Sequence, residues 1–438
     1  MPTRGRTPSA SGRSRRTRRP TPLPSAGAPG QVAALLRAAG PLTRADLAGR
    51  LGLSRATVSA ALTRLSAEGL VEERDEPAPS TQRGRPPGLV SLTRPAGVAL
   101  GVDLGRRHVR VAVADLGHNV LAERHERFDV DWRPDEALDE VITLVSGTCA
   151  DAGVDIQDAL GLGLGLPAPL DTEGRPSAHS IPPGWVGHVP ADELASRLGV
   201  PVAAENDANL GALAEAHWGA GRGHDSLVYV KAATGIGAGI VLRGSVFRGA
   251  GGTAGELGHT TTGDDGAVCQ CGNRGCLEVR AGGAALVAQV LQSGVSVSGL
   301  PDLVARAREG HLGCRRVLAD AGDAIGLALA TVVNLLNPDR IVLGGELGTA
   351  GDLVLESLRA RLSRNAIAPA VRQATVVPAL LGDRAEVLGA VLLVLREGER
   401  FAPPPRSVSS GPSGAGAGAA PRPAGTRRRP PARSASTR

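Results

Sequence analysis

The sequence predicts an α/β chain built as an N-terminal winged helix-turn-helix followed by a two-lobed α/β body. Three observations carry this. Residues 31–94 hold three short amphipathic helical segments and then two strand-like runs. Residues 97–400 alternate strand and helix patterns in two successive sets. Alternation of that kind gives two α/β lobes with a cleft between them, where ligands sit. Both ends, 1–30 and 402–438, have a different composition and read as disordered basic tails.

The charge is unevenly spread over the 438 residues. The net charge is +6, yet the two tails hold seven arginines each and no acid. The stretch 31–401 therefore carries −8. Basic tails on an acidic body suggest local contact with a polyanion. Simple solvation of the tails is the alternative. Lys231 is the single lysine. No run reaches the ~18 apolar residues of a membrane span, and Ala324–Leu336 reads as a buried core helix. The N-terminus has no apolar signal region, so it is not read as a secretory signal, and its acid-poor composition faintly resembles an organellar transit peptide; the motifs below favour a bacterial cytoplasmic protein without membrane contact.

In the first part, GQVAALLRAAG is a short apolar helix. TRADLAGRLGL follows, with Thr43 as N-cap and Asp46 three residues on. A third helix starts at Ser54, with Val58, Leu62 and Leu65 facing inward. Its outer face carries Arg55, Thr57, Ser59, Ala60 and Arg64. Small and basic residues on the second helix of a helix-turn-helix suit the major groove of double-stranded DNA. VEER and GLVSLT read as wing strands, and the loop between them carries Arg83 and Arg85, suited to a minor groove. DNA contacts are thus expected from Ser54, Arg55, Thr57, Ser59, Arg64, Arg83 and Arg85. A three-helix protein-interaction domain is the alternative.

In the second part, GVALGVDLG, RVAVADL and NVLAERHERF read as three strands. A helix over PDEALDEVITLVSGTCADAG, the strand LGLGLGLPAPLD, the helix ELASRLG, the strand VPVAAEND and a helix through ALAEAHWGAG complete the first set. The second set opens with SLVYVKAATGIGAGIVL. It continues with a long helix over Arg316–Leu336, the strand RIVLGGE, a further helix, the strand ATVVPA and a last helix from Ala385 to Arg400. Lobe 1 is expected over 97–218 plus 385–400, and lobe 2 over 219–384.

Three of the five cysteines crowd into one glycine-rich loop, spaced His259-x9-Cys269-x-Cys271-x4-Cys276. Three thiolates and an imidazole make a closed tetrahedral set, which suits a structural zinc. A strained disulfide or free thiols are the alternatives.

GVDLG with VAVAD, GLGLPAPLD, ENDANLGALAE, TGIGAGI, GELGH, CQCGNRGCLE and NPDRIVLGG occur in an order that resembles the repressor–open reading frame–kinase (ROK) family. The resemblance covers residues ~43 to ~396. It implies an actin-like, ribonuclease H-like sugar-kinase fold, and the helix-turn-helix resembles the family's repressor branch. It also implies the Cys3His zinc, and sugar-hydroxyl contacts from Asn206, Asp207, Glu256, His259 and Glu278. His259 would serve metal and sugar with its two ring nitrogens. Helix capping is the alternative role for Asn206, and a helix-start position for Glu278.

In the family's kinases the residue at Asp207 is the catalytic base, and two glycine turns cradle ATP phosphates. The second turn is present, with Thr234, Gly235, Gly237 and Gly239. The first departs from Asp-x-Gly-Gly-Thr: Asp103 and Gly105 remain, but Arg106 and Arg107 replace the second glycine and the threonine. Those arginines are expected to obstruct the phosphates. The reading is a sugar-responsive DNA-binding regulator, a repressor acting as a homodimer or tetramer on operator DNA. The alternative is a sugar kinase using Mg·ATP, with Asp207 as its base.

Overall fold

The computed structural model describes residues 21–74, 88–93, 96–130, 133–177, 183–263 and 266–401. The expected tails, except for residues 21–30, and Arg83 and Arg85 lie outside these.

The N-terminal head contains α1 (Gly27–Ala39), β1 (Leu42–Thr43), α2 (Arg44–Leu51), α3 (Arg55–Ala67), β2 (Val71–Arg74) and β3 (Leu89–Leu92). Helix α1 starts at Gly27, so residues 27–30 are helical and the expected tail is shorter. The Thr43 hydroxyl accepts from Asp46 N at 3.1 Å, and the Asp46 carboxylate accepts from Thr43 N at 3.3 Å. That reciprocal pair fixes the start of α2. Gly52 ends α2 in the left-handed region (φ 64°), the conformation that glycine adopts most readily. Ser54 then caps α3 by accepting from Thr57 N at 3.1 Å. Val58, Ala61, Leu62 and Leu65 are buried. Strand β3 pairs antiparallel with β1 on one side and β2 on the other.

The body begins with an antiparallel meander of β4 (Val98–Gly105), β5 (His108–Asp115) and β6 (Val120–Glu126). Helix α4 (Pro134–Ala152), β7 (Ala159–Leu166), α5 (Pro190–Leu198) and β8 (Val202–Asn206) follow. The first sheet has the order β6-β5-β4-β7-β8, with β7 parallel to β4 and β8. Helix α6 (Asp207–Trp218) leads to β9 (Ser226–Ala232), β10 (Ile236–Leu242) and β11 (Ser245–Val246). Then come α7 (Leu277–Ala281), α8 (Gly283–Gln292), α9 (Leu300–Arg308), α10 (Leu312–Leu336), β12 (Arg340–Gly344), α11 (Gly345–Gly348), α12 (Asp352–Asn365), α13 (Ala368–Gln373), β13 (Thr375–Pro378) and α14 (Ala385–Arg396). The second sheet has the order β11-β10-β9-β12-β13.

All eight residues of β4 are buried, as expected of a strand covered on both faces. The alternation in LGLGLGL has a packing cause. A Cβ on Gly163 would sit 2.1 Å from the Ala390 carbonyl oxygen, and one on Gly101 would sit 2.6 Å from that of Val387. The glycine face of the first sheet therefore receives α14 at backbone contact. Leu162 and Leu164 point the other way, into the core that also holds Leu138 and Val141 of α4.

The head is not a separate bead. Val32, Leu36, Val58 and Leu65 share one continuous core with Leu210 and Leu213 of α6 and Val387–Leu395 of α14. In the second sheet's half, α10 packs along α12. By length and composition alone α10 would span a membrane, but 56% of its most apolar window is buried inside the fold. Helices α8 and α9 were not anticipated, whereas α7 begins at the helix start weighed for Glu278. The last helix stops at Arg396, and a 3-10 turn over Gly398–Phe401 follows.

Candidate functional site

The cysteine loop folds back on itself through backbone pairing of Thr261 with Cys276 and Val268 with Arg274. The ligand atoms of His259, Cys269, Cys271 and Cys276 all lie within 4.8 Å of one another. His259 Nδ1 is 3.5 Å from Cys269 Sγ, and Cys271 Sγ is 3.7 Å from Cys276 Sγ. No disulfide joins them. Burial pushes the Cys276 thiol up to about 12, while the Asn273 backbone N–H holds Cys271 down. Three thiolates packed this closely need a cation, and the cluster could hold a metal ion.

The other ring nitrogen of His259, Nε2, is 3.8 Å from Glu256 Oε2. Burial raises the Glu256 carboxyl, His259 opposes that, and Asp207 and Glu278 raise it further. Glu256, Asp207 and Glu278 thus share one field, the acceptor-rich arrangement that sugar hydroxyls need. Asn206 sits at the same edge. Its Oδ1 caps α6 by accepting from Ala208 N (3.0 Å) and Asn209 N (3.2 Å), and its Nδ2 donates to Ala168 O (3.1 Å). Glu278, at the start of α7, accepts from Ile236 N at 3.0 Å. The second glycine turn therefore already has a carboxylate on one of its amides. A Cβ on Gly235 would meet Glu278 Oε2 at 2.3 Å. Gly237 and Gly239 face α6, where a Cβ on Gly239 would lie 2.3 Å from Ala208 O.

At the first turn a residue outside the motif, His108, stands closest to Gly105. Arg107 is exposed, Arg106 is half-buried, and the imidazole of His108 covers Gly105. A Cβ on Gly105 would lie 2.2 Å from His108 Cε1, and His108 Nε2 is 2.8 Å from Asp103 Oδ2. Beneath it lies an ion network that motif reading missed. Lys231 Nζ, at the end of β9, donates to Asp207 Oδ2 at 2.8 Å and sits 3.4 Å from Glu386 Oε1. Asp207 Oδ1 accepts from Ala208 N at 2.7 Å. Both oxygens of the expected base are therefore engaged. Burial alone would lower the Lys231 ammonium, but Asp207, Glu386 and Asp103 together hold it well above its ordinary value. Burial would raise the Asp103 carboxyl, yet Lys231 and His108 outweigh it and keep it low. The signal that could have found this network is a lone lysine inside the otherwise apolar strand SLVYVKA.

The family model described as the ROK family matches residues 99–397, more than two thirds of the chain. The chain belongs to the ROK family. A MarR family model matches residues 27–80, the head. The chain is 28% identical over 355 residues to the xylose repressor of Bacillus subtilis, covering 81% of this chain and 91% of that one. It is similar to the crystal structure of a ROK family transcriptional regulator, a homologue of the E. coli MLC protein (TM-score 0.68, 27% identity, 85% and 96% covered). A ROK family glucokinase from Streptomyces griseus, solved with glucose and AMPPNP, matches the body (TM-score 0.61, 29% identity, 68% and 99% covered).

This ROK chain thus combines the actin-like body with a winged helix-turn-helix head, the plan of a DNA-binding regulator. On that head Ser54, Arg55, Thr57, Ser59 and Arg64 are all exposed. Arg64 is drawn to Glu68 at 3.2 Å, and Arg44 reaches Ser59 Oγ at 3.4 Å. Arg44 is a basic neighbour of α3 that the sequence reading left out.

Proposed function

We propose that this ROK protein is a sugar-responsive transcriptional repressor. Its head binds operator DNA, and its cleft binds a sugar through Asn206, Asp207, Glu256, His259 and Glu278. What supports this is the shared core of head and body, with Asp207, Glu256 and Glu278 close enough to act on one another and side chains set over Gly105 and Gly235 at the two glycine turns. Sugar binding closes the cleft, repositions the head and weakens operator binding, by no more than the sugar's preference for the closed state. The metal is a structural zinc. Zn–S bonds of about 2.3 Å in a tetrahedron set two sulfurs about 3.8 Å apart, and Cys271 and Cys276 stand 3.7 Å apart. The zinc staples the loop that carries His259 and leads into Glu278. The protein acts in the bacterial cytoplasm as a homodimer or tetramer, since helix-turn-helix operators are commonly two-fold.

Two measurements test this. A thermal-shift screen against a sugar panel, with and without Mg·ATP, should give a shift with a sugar and none with nucleotide. Saturation at 100 times Kd adds about 2.7 kcal/mol. The same sugar should shorten the lifetime of the protein on its operator. ADP release with any sugar would move the kinase reading, with Asp207 as base, to the front. A bound sugar that leaves the operator lifetime unchanged would end the sensor reading.

A further inference from the structure

We infer that Lys231 occupies the cation position of the cleft, so that the cleft admits a neutral sugar but not a metal-bound polyphosphate. Four groups from four elements converge there: Asp103 from β4, Asp207 from the start of α6, Glu386 from the start of α14, and Lys231 from β9. The three carboxylates are buried. Asp103 Oδ1 is buried without a hydrogen-bond partner. Glu386 Oε1 also accepts from the Tyr229 hydroxyl at 3.1 Å.

Three buried carboxylates cannot all stay ionised without a positive charge among them. Hard divalent cations choose such oxygen-only surroundings. Here the positive charge is covalently part of the chain. It lies 2.8 Å from one carboxylate and 3.4 Å from another, and it acts on the third. His108 hydrogen-bonds Asp103, and Arg110 contributes its charge from β5. A tethered ammonium cannot carry a nucleotide in or out. Nor can it bridge phosphate oxygens while both of its carboxylate partners hold it. The residues present therefore do not fit a Mg·ATP complex, and the cause is Lys231 more than the arginines of the first turn. The consequence for ligand choice rests on the sugar-sensor reading. The occupancy of the cation position does not.

The test is titration of Mn2+ into full-length, zinc-loaded protein, read from the electron paramagnetic resonance signal of free Mn2+. The wild type should leave the signal unchanged at equimolar, submillimolar concentrations. Lys231→Met should take up one Mn2+ per chain, with a Kd at least ten-fold below any wild-type value. Asp207→Asn added to that variant should abolish the gain. Should Lys231→Met fail to fold, Lys231→Gln with Glu386→Gln keeps Asp103 and Asp207 at lower net charge and should show the same gain. A folded variant that binds no more Mn2+ than wild type would overturn the inference. So would a wild-type Mn2+ site that Asp207→Asn removes. Loss of sugar binding in the thermal-shift screen would sink the sensor reading and leave this result standing.

Discussion

The joint between head and body should make the protein acid-sensitive in a calculable way. His217 lies at the end of α6, its ring centroid 5.3 Å from that of His118. His118 Nε2 donates to the Arg37 carbonyl at the end of α1, 2.7 Å away. Burial, then the nearby His118, Arg396 and Arg222, push His217 from 6.5 down to about 3. Burial also lowers His118, while the Arg37 carbonyl and Asp115 oppose it. The folded value lies below the unfolded one, so acid protonates the unfolded chain first. Stability from His217 is therefore complete above pH 6.5 and is lost as the pH falls toward 3. Between pH 7.5 and 5.5 the linkage relation gives a loss of about 1.4 kcal/mol from this one group. Urea unfolding of zinc-loaded wild type and His217→Gln at both pH values reads it directly. The variant should be less stable at pH 7.5, and its loss on acidification should be smaller by about 1.4 kcal/mol. Equal losses in the two proteins would refute the argument that burial at the joint keeps this imidazole neutral.

Arg55→Ala should weaken operator binding by about 1–3 kcal/mol, roughly ten-fold or more, measured by fluorescence anisotropy at fixed salt. Arg83→Ala with Arg85→Ala should do the same, and unchanged affinity in both variants would remove the DNA role from α3 and the wing. Cys271→Ser should lower the metal content from one ion per chain to none by elemental analysis. Gly163→Ala should destabilise by about 1–3 kcal/mol or more, because its Cβ would sit 2.1 Å from the Ala390 carbonyl oxygen. Gly49→Ala, in the exposed face of α2 with nothing within 4 Å, should instead stabilise by about 0.5–1 kcal/mol.

Local chemistry in this chain was legible because its causes are local. Thr43 and Asp46 satisfy each other across three residues, and Val58, Leu62 and Leu65 repeat at helical spacing. The gathering of His259, Cys269, Cys271 and Cys276 into one cluster was legible from their spacing, since a short glycine-rich loop brings them together. The ion network was not. Lys231 meets Asp207 and Glu386 only after two sheets and two helices have packed, and its strand reads as an ordinary buried one. The same limit applies beside Arg106 and Arg107: the sequence does not show that His108, paired with Gly105 across β4 and β5, lays its ring against that glycine. Asn206 shows an ambiguity that packing reduced, since its amide oxygen serves two backbone N–H groups of α6.

Helix α6 joins the two halves of the proposed function. Its first residue, Asp207, bonds Lys231 in the cleft, and its penultimate residue, His217, packs on His118 at the head joint. Twelve residues of helix span about 18 Å. Helix α14 runs beside it, carrying Glu386 at the cleft end and packing on α1 of the head. A Cβ on Gly389 would lie 2.0 Å from Leu210 O, so the two helices meet at backbone distance and must move together. Slippage between them would cost that close contact. The helix pair is also tied to the second sheet, since Lys231 of β9 bonds Asp207 and lies 3.4 Å from Glu386, and a Cβ on Gly239 of β10 would lie 2.3 Å from Ala208 O. Under the proposed function, a sugar bridging Asp207 and Glu278 would pull on α6, the helix that shares its core with the head. For a hundred-fold loss of operator affinity, the sugar must prefer the closed arrangement by about 2.7 kcal/mol. Two or three charge-assisted hydrogen bonds made only in the closed cleft are enough to supply that difference.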